Sequence, residues 1–181
     1  MKKFNNICTF LHPIGLDIFI LREHWERKRP FENILNSQNY KVKESSCGLR
    51  VIPTKGRNGT PTKSVTGGGV AIVYSEENVR VEDADIEIPE DVEATWVILT
   101  PKINEITTIR KILVGGIYIA PRSQFKQKSI KHIIETMFMV QSRYEFPLHY
   151  LVSGDFNKVD TTDIMEFNGA LNQICSVPTQ K

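Results

Sequence analysis

The sequence predicts an α+β fold, with two antiparallel-rich sheets and helices outside them. Short apolar or alternating segments recur before any long helical pattern, unlike a regular βαβ alternation. One long amphipathic helix follows these segments. The chain has 181 residues, of which 40% are hydrophobic. That length and composition predict one domain with a substantial core.

The first part of the chain contains short elements and one long polar stretch. Apolar residues at helical spacing predict an amphipathic helix over residues 1–12. The run Asp17–Leu21 predicts a central strand, Phe31–Leu35 one helical turn, and Tyr40–Glu44 an edge strand. Because Gly48–Thr66 is rich in Gly, Pro, Thr and Lys, we expect an exposed, mobile loop there.

The middle of the chain predicts several strands in succession. They are Val70–Tyr74, Asn78–Ile88 (an outer strand or hairpin), Thr95–Leu99 and Lys111–Ile119. Three glycines precede the first of them, but they lie before a strand and lack the Gly-Lys-Ser/Thr ending of a phosphate-binding loop. They indicate a close backbone approach or a bend at a sheet edge.

The clearest helix is predicted over about Ser123–Tyr144. Its predicted core face consists of Ile130, Ile133, Ile134, Met137 and Phe138. Its opposite face carries Lys126, Lys128 and Lys131, which are exposed and able to touch phosphates. A short helix or loop is predicted over Thr161–Ile174.

Charge and cysteine content limit the class of protein. The net charge is +2, but basic residues dominate Lys41–Thr66 and acidic residues dominate Glu76–Glu93. This segregation fits a basic face for a polyanion and equally fits solvated loops. The three cysteines have no paired spacing, so we expect a reducing, intracellular compartment, nuclear or cytoplasmic. No apolar run is long enough to span a membrane.

A candidate site follows the apolar run Tyr150–Val152. Gly154 permits a tight exit from that strand, after which Asp155 and Asn157 emerge from the end of the sheet, with Phe156 turned into the core. A carboxylate beside an amide suits a metal-dependent phosphate site. The alternative is a strand followed by an Asx-type turn.

Two other strand ends carry polar side chains. Glu23 follows the strand at 17–21, and two strands that each present a carboxylate can hold a hard cation between them. The alternative is that Glu23 is an ordinary surface acid. Tyr118 ends the strand at 111–119, where a tyrosine commonly packs with its hydroxyl in water.

Four pieces in this order resemble the endonuclease/exonuclease/phosphatase superfamily, and within it the apurinic-type endonuclease domain of LINE-like (non-LTR) retrotransposons. They are Ile18-Phe-Ile-Leu-Arg-Glu23-His-Trp25, Gly68-Gly-Val-Ala-Ile-Val73, Gly116-Ile-Tyr118-Ile-Ala-Pro121 and Ser153-Gly-Asp155-Phe-Asn157. The resemblance covers about residues 14–181. It implies a deoxyribonuclease-like four-layer α/β/β/α sandwich, a divalent cation (Mg²⁺ or Mn²⁺), and hydrolysis of DNA phosphodiesters by nicking.

The resemblance also implies roles for individual residues. Glu23 would be the cation ligand, and Tyr118 would orient the scissile phosphate. Asp155 would activate or align the attacking water, or protonate the leaving oxygen, and Asn157 would fix the phosphate. The basic residues after Tyr118 imply DNA contacts by Arg122 and Lys126. The domain is expected to be monomeric and normally fused to a reverse transcriptase.

The sequence also departs from the family pattern. The pattern opens with an asparagine-bearing strand and closes with a Ser-Asp-His segment, and neither is present. Two residues separate Tyr118 from Pro121 where many relatives have one. We therefore expect a single domain over residues 1–181 that is incomplete and has little or no nicking activity alone. Two alternatives stay open: a phosphoesterase for a small molecule, and a non-catalytic relic that binds nucleic acid.

Overall fold

The structure, a computed structural model, describes most of the middle and second half of the chain. The described ranges are 17–22, 40–44, 49–55, 61–66, 69–102, 111–120, 124–157 and 159–167. The helix predicted over 1–12 and the helical turn predicted over Phe31–Leu35 lie outside these ranges.

The first sheet has three described strands in the order β1-β5-β2, all antiparallel. They are β1 (Ile18–Arg22), β2 (Tyr40–Glu44) and β5 (Val70–Ser75). Among the described strands, β2 lies at an edge of this sheet, as predicted. The strand at 17–21 was predicted to be central, but among the described strands β5 occupies the centre and β1 lies beside it. In agreement, β5 is more completely buried than β1.

The second sheet has four strands in the order β6-β7-β8-β9. They are β6 (Val79–Asp83), β7 (Glu93–Pro101), β8 (Ile112–Tyr118) and β9 (His149–Asp155). Only β8 and β9 are parallel, because helix α1 (Lys126–Gln141) forms the crossover between them. A short helix α2 (Thr162–Phe167) follows, within the segment predicted as a helix or loop.

The prediction of a loop over Gly48–Thr66 was wrong. This stretch contains an antiparallel hairpin formed by β3 (Leu49–Lys55) and β4 (Pro61–Thr66). The β-branched residues of both strands favour extended backbone, and pairing satisfies the peptide groups that a loop would leave to water. Its register shifts between Ile52 and Lys55, so the pairing is irregular.

The two larger sheets pack face to face. Their shared core includes Ile72 from the first sheet and Val97 and Val114 from the second, all nearly inaccessible to solvent. The sheets approach closely at Gly116, where an added Cβ would lie 2.9 Å from Cγ2 of Val70. The absence of a side chain on Gly116 therefore permits this spacing.

The opposite face of the second sheet packs against α1. Trp96 and Ile117 from the sheet meet Ile133 and Met137 from the helix. Phe138 was predicted to belong to this core face, and that was wrong: its side chain is 67% exposed. Successive helical residues are about 100° apart, so Phe138 is rotated out of the stripe that contains Met137.

The described residues thus form three layers, namely the first sheet, the second sheet and α1. The first sheet also carries apolar side chains on its outer face, among them Phe19, Val42 and Val73. The predicted α+β sandwich is confirmed. Neither described helix is long and apolar enough to span a membrane.

Candidate active site at the rim of the two sheets

Three polar side chains lie side by side where three strands of the second sheet begin or end. Tyr118 is the register partner of Asp155 at the ends of the parallel strands β8 and β9. Tyr118 is also the register partner of Glu93 at the start of β7. Neighbouring strands are about 4.8 Å apart. Glu93, Tyr118 and Asp155 therefore form a row across three adjacent strands. We call this end of the strands the rim.

The row faces the space between the two sheets. Val97, Val114 and Leu151 belong to the core between the sheets. Each lies four positions along its strand from one member of the row, and side chains on a strand repeat on the same face every two residues. Glu93 and Tyr118 are 9% and 5% exposed, whereas Asp155 is only partly buried.

The first sheet reaches the same rim. Arg22, the last residue of β1, pairs with Val70, the first residue of β5. The backbone N–H of Gly69, one residue earlier, donates a 2.7 Å hydrogen bond to Oε2 of Glu93. The end of β1 and the end of β9 are therefore on the same side of the sandwich. Glu23, which follows β1 in sequence, lies outside the described residues.

Gly154 holds the end of β9 close to β8. Its φ is 152°, and an added Cβ would lie 1.8 Å from the carbonyl oxygen of Ile117. Only glycine fits this combination of backbone conformation and contact. The tight exit predicted from the sequence is therefore a close approach between the two parallel strands that carry Tyr118 and Asp155.

An Asx-type turn follows Asp155. The backbone N–H of Asn157 donates a 2.9 Å hydrogen bond to Oδ1 of Asp155, and Asn157 has a left-handed φ of 50°. Its Nδ2 donates a 2.6 Å hydrogen bond to the carbonyl of Ile119. The chain is therefore not extended through Asn157, as simple alternation implied, because the turn satisfies these polar groups locally. Phe156 packs against the core as predicted.

Sequence reasoning missed Glu93. It was counted only as the last acid of the acidic stretch Glu76–Glu93, and it lies outside the strands predicted over Asn78–Ile88 and Thr95–Leu99. A carboxylate that opens the long apolar run Ala94–Leu99 was the available signal, since such a residue begins a buried strand at a sheet edge.

The residues proposed to contact nucleic acid are only partly described. Lys126 is the first residue of α1, close in sequence to the end of β8, and Arg122 lies outside the described residues. On the basic side of α1, Lys128 is paired with Asp91 at 2.7 Å and Lys131 is 3.5 Å from Glu135. Part of the positive charge on this helix is thus balanced locally.

The donor atoms at the rim suit a hard divalent cation. Mg²⁺ in proteins is held by one or two carboxylates together with water and substrate phosphate, and Asp155 supplies such a carboxylate. Within the described ranges, no group of three or more His, Cys, Asp or Glu side chains is arranged to hold a metal ion. Asp155 would therefore need further ligands, and Glu23 is the sequence candidate.

No protein-family model matches the chain, and no curated protein matches it by sequence. Solved structures do match. The chain aligns with ANGEL2, a 2′,3′-cyclic phosphatase in complex with adenosine-2′,3′-vanadate, with a TM-score of 0.58 and 16% identity, covering 91% of this chain and 46% of ANGEL2. It aligns with the human Nocturnin catalytic domain, bound to a sulfate anion, with a TM-score of 0.51 and 13% identity, covering 87% of this chain and 57% of that one.

A third neighbour is truncated TDP2 from Caenorhabditis elegans, with a TM-score of 0.50, 14% identity, and coverage of 98% of this chain and 59% of that one. These neighbours have the endonuclease/exonuclease/phosphatase fold, and the chain shares that fold. The chain spans about half the length of each neighbour. The resemblance is therefore confirmed at the level of the fold, and the LINE-like branch stays a prediction.

Proposed function

We propose that this chain is part of a metal-dependent phosphoesterase that hydrolyses phosphodiesters in nucleic acid. The observation that carries the proposal is the register of Tyr118 with Asp155 at the rim, where β1 also ends. Asn157 is hydrogen-bonded to Asp155 at the end of β9 and to Ile119, the residue that follows β8. A carboxylate, an amide and a phenol fixed within adjacent strands can position a phosphate and a water together.

Each side chain has a defined role in this proposal. The Asp155 carboxylate accepts a hydrogen bond from the attacking water and aligns it with the phosphorus, or handles the proton of the leaving oxygen. Asn157 and Tyr118 donate hydrogen bonds to the non-bridging phosphate oxygens. Asp155 and Glu23 would hold Mg²⁺, which when bound neutralises phosphate charge as a Lewis acid.

The more specific proposal is a DNA-nicking endonuclease domain of a LINE-like retrotransposon protein, normally joined to a reverse transcriptase. It is supported by the order and spacing of the four sequence pieces described above. The sequence contains no Ser-Asp-His segment. We therefore expect residues 1–181 alone to bind a divalent cation and to nick DNA weakly or not at all.

Divalent-cation binding tests the proposed chemistry in this chain. Mn²⁺ binding followed by electron paramagnetic resonance should saturate, and Asp155→Asn should weaken it, because the carboxylate charge is removed while the turn acceptor is kept. Asp160→Asn is the matched control: it removes an exposed carboxylate and preserves the acceptor for Thr162. Binding that does not saturate, or that Asp155→Asn leaves unchanged, would contradict the proposal.

Nicking of supercoiled plasmid with Mg²⁺ tests the substrate. Any nicking by this chain should require Mg²⁺ and should fall by at least about 100-fold in Asp155→Asn, because the residue that aligns the water or handles the proton is removed. Turnover of a small phosphodiester without plasmid nicking would favour the small-molecule alternative, with which the ion-paired state of Lys128 and Lys131 agrees. Salt-dependent DNA binding by this chain, with no Mg²⁺-dependent turnover of plasmid or of a small phosphodiester, would favour a non-catalytic relic.

A further inference from the structure

Glu93 is a buried acid at the rim, and its carboxylate accepts a hydrogen bond from the backbone next to the first sheet. It is 9% exposed, and Oε2 accepts the N–H of Gly69 at 2.7 Å. Carboxylates are rarely this buried unless a specific partner satisfies them. A hydrogen bond from a peptide N–H to a carboxylate is charge-assisted and directional. The position of Gly69 is therefore set by a side chain that belongs to β7.

Gly69, which this hydrogen bond restrains, lies next to the residue that pairs with the end of β1. Gly69 immediately precedes Val70, and Val70 is the register partner of Arg22. A shift of Gly69 therefore moves the pair that ends β1 and begins β5. The same pair lies over the second sheet. A Cβ added to Gly116 would lie 2.9 Å from Cγ2 of Val70, and β1 contacts both β8 and β9.

The strand register places Glu93 beside the proposed catalytic residues. Tyr118 on β8 lies between Glu93 on β7 and Asp155 on β9. Two strand spacings, about 10 Å, separate the backbones of Glu93 and Asp155. Its Oε2 is directed to Gly69 of the first sheet.

We propose that Glu93 is a positioning residue that fastens the first sheet, at the paired ends of β1 and β5, to the rim beside Asp155. This inference rests on the proposed function, since it takes Asp155 at this rim as a cation ligand. Glu93 acts through its hydrogen bond to Gly69 and does not touch the cation. Its charge strengthens that bond, and its length spans the two sheets.

Two measurements on the folded chain test this role. Hydrogen exchange of the Gly69 amide should be slow in the wild type and faster in Glu93→Ala, with Glu93→Gln between them because a neutral oxygen still accepts the bond. The dissociation constant for Mn²⁺ should rise on the order of 10–100-fold in Glu93→Ala, as for other residues that orient ligands, and by less in Glu93→Gln.

Glu82→Gln is the matched control for lost charge. Glu82 lies on β6, pairs with Lys111 and has Ile98 as its register partner. Ile98 is about 17 Å along β7 from Glu93, at 3.4 Å per residue. Because this variant removes one carboxylate far from the rim, it should leave Mn²⁺ binding and the exchange of Gly69 unchanged.

The outcomes separate this inference from the proposed function. If Asp155→Asn weakens Mn²⁺ binding and folded Glu93→Ala does not, the positioning role is wrong and the proposed function stands. If Glu93→Gln loses as much affinity as Glu93→Ala, the charge acts directly, and the positioning role is again wrong. If the wild type shows no saturable Mn²⁺ binding, both proposals fail. Should Glu93→Ala not fold, the comparison of Glu93→Gln with the wild type decides: unchanged affinity and unchanged exchange of Gly69 overturn the role.

Discussion

The side-chain amide of Asn157 donates a hydrogen bond to the carbonyl of Ile119 at 2.6 Å, which joins the turn after β9 to the end of β8. The backbone N–H of the same residue donates to Asp155. Asn157 therefore stabilises the turn in addition to its proposed contact with phosphate. Variants at this position must therefore be compared so that loss of turn stability can be distinguished from loss of the phosphate contact.

We expect Asn157→Ala to destabilise the protein by about 2–3 kcal/mol. Alanine loses the hydrogen bond to Ile119, worth about 1 kcal/mol, and it adopts the left-handed φ of 50° at a further cost of about 1–2 kcal/mol. Urea unfolding followed by circular dichroism measures the change.

Asn157→Gly is the matched comparison, because glycine accepts the left-handed backbone and lacks the amide. It should be more stable than Asn157→Ala by about 1 kcal/mol, while both variants lose the proposed phosphate contact. Equal stabilities of the two variants would contradict the backbone part of this account.

Gly154→Ala should prevent normal pairing of β8 with β9. The new Cβ would overlap the carbonyl oxygen of Ile117, and the backbone would be strained at a φ of 152°. We expect a loss of at least about 3 kcal/mol, or no folded protein. Ser153→Ala, at the exposed neighbouring position, should change the unfolding free energy by less than about 0.5 kcal/mol in the same urea titration. A Gly154→Ala variant as stable as Ser153→Ala would refute the contact.

The strands of the sandwich were predictable because their side chains are sorted by burial. The apolar runs at 70–74, 95–99 and 111–119 each correspond to a strand with a buried face. The position of Asp155 at the end of a strand was predictable for the same reason, since it directly follows such a run. Local sequence also offered the Asx turn at Asn157 as an alternative, and the structure contains that turn.

What the sequence concealed depends on contacts between distant segments. The bond from Gly69 to Glu93 joins residues that are 24 positions apart, and neither residue type signals it. The hairpin of β3 and β4 was hidden by turn-forming residues between and around its strands. Phe138 was misassigned because the spacing of apolar residues along a helix does not define the boundary of the stripe that contacts the sheet.

Met137 and Phe138 provide a direct test of that stripe. Met137 is fully buried and Phe138 is 67% exposed. Met137→Ala should cost about 2–5 kcal/mol, because it leaves a cavity between α1 and the second sheet. Phe138→Ala should change the unfolding free energy by less than about 0.5 kcal/mol. Urea unfolding of the two variants gives the comparison, and a larger loss for Phe138→Ala would mean that α1 is rotated.

His132 should make the stability depend on pH. It is 8% exposed, and its Nε2 accepts the indole N–H of Trp96 at 3.3 Å. Burial lowers the pKa of His132, and Glu135 opposes this only in part. The unfolded chain therefore takes up a proton more readily, so the stability that His132 contributes is complete above pH of about 6.5 and is lost as the pH falls toward the folded pKa.

The matching variant is His132→Gln, whose side-chain oxygen still accepts a hydrogen bond but does not titrate. Unfolding free energies between pH 7.5 and about 5 should fall more steeply for the wild type, by up to about 1.4 kcal/mol per pH unit for one proton. The slopes of the two proteins should differ below pH of about 6.5 and agree above it, because only the unfolded wild type gains the proton. Parallel curves over the whole range would show that the imidazole does not lose its proton on folding.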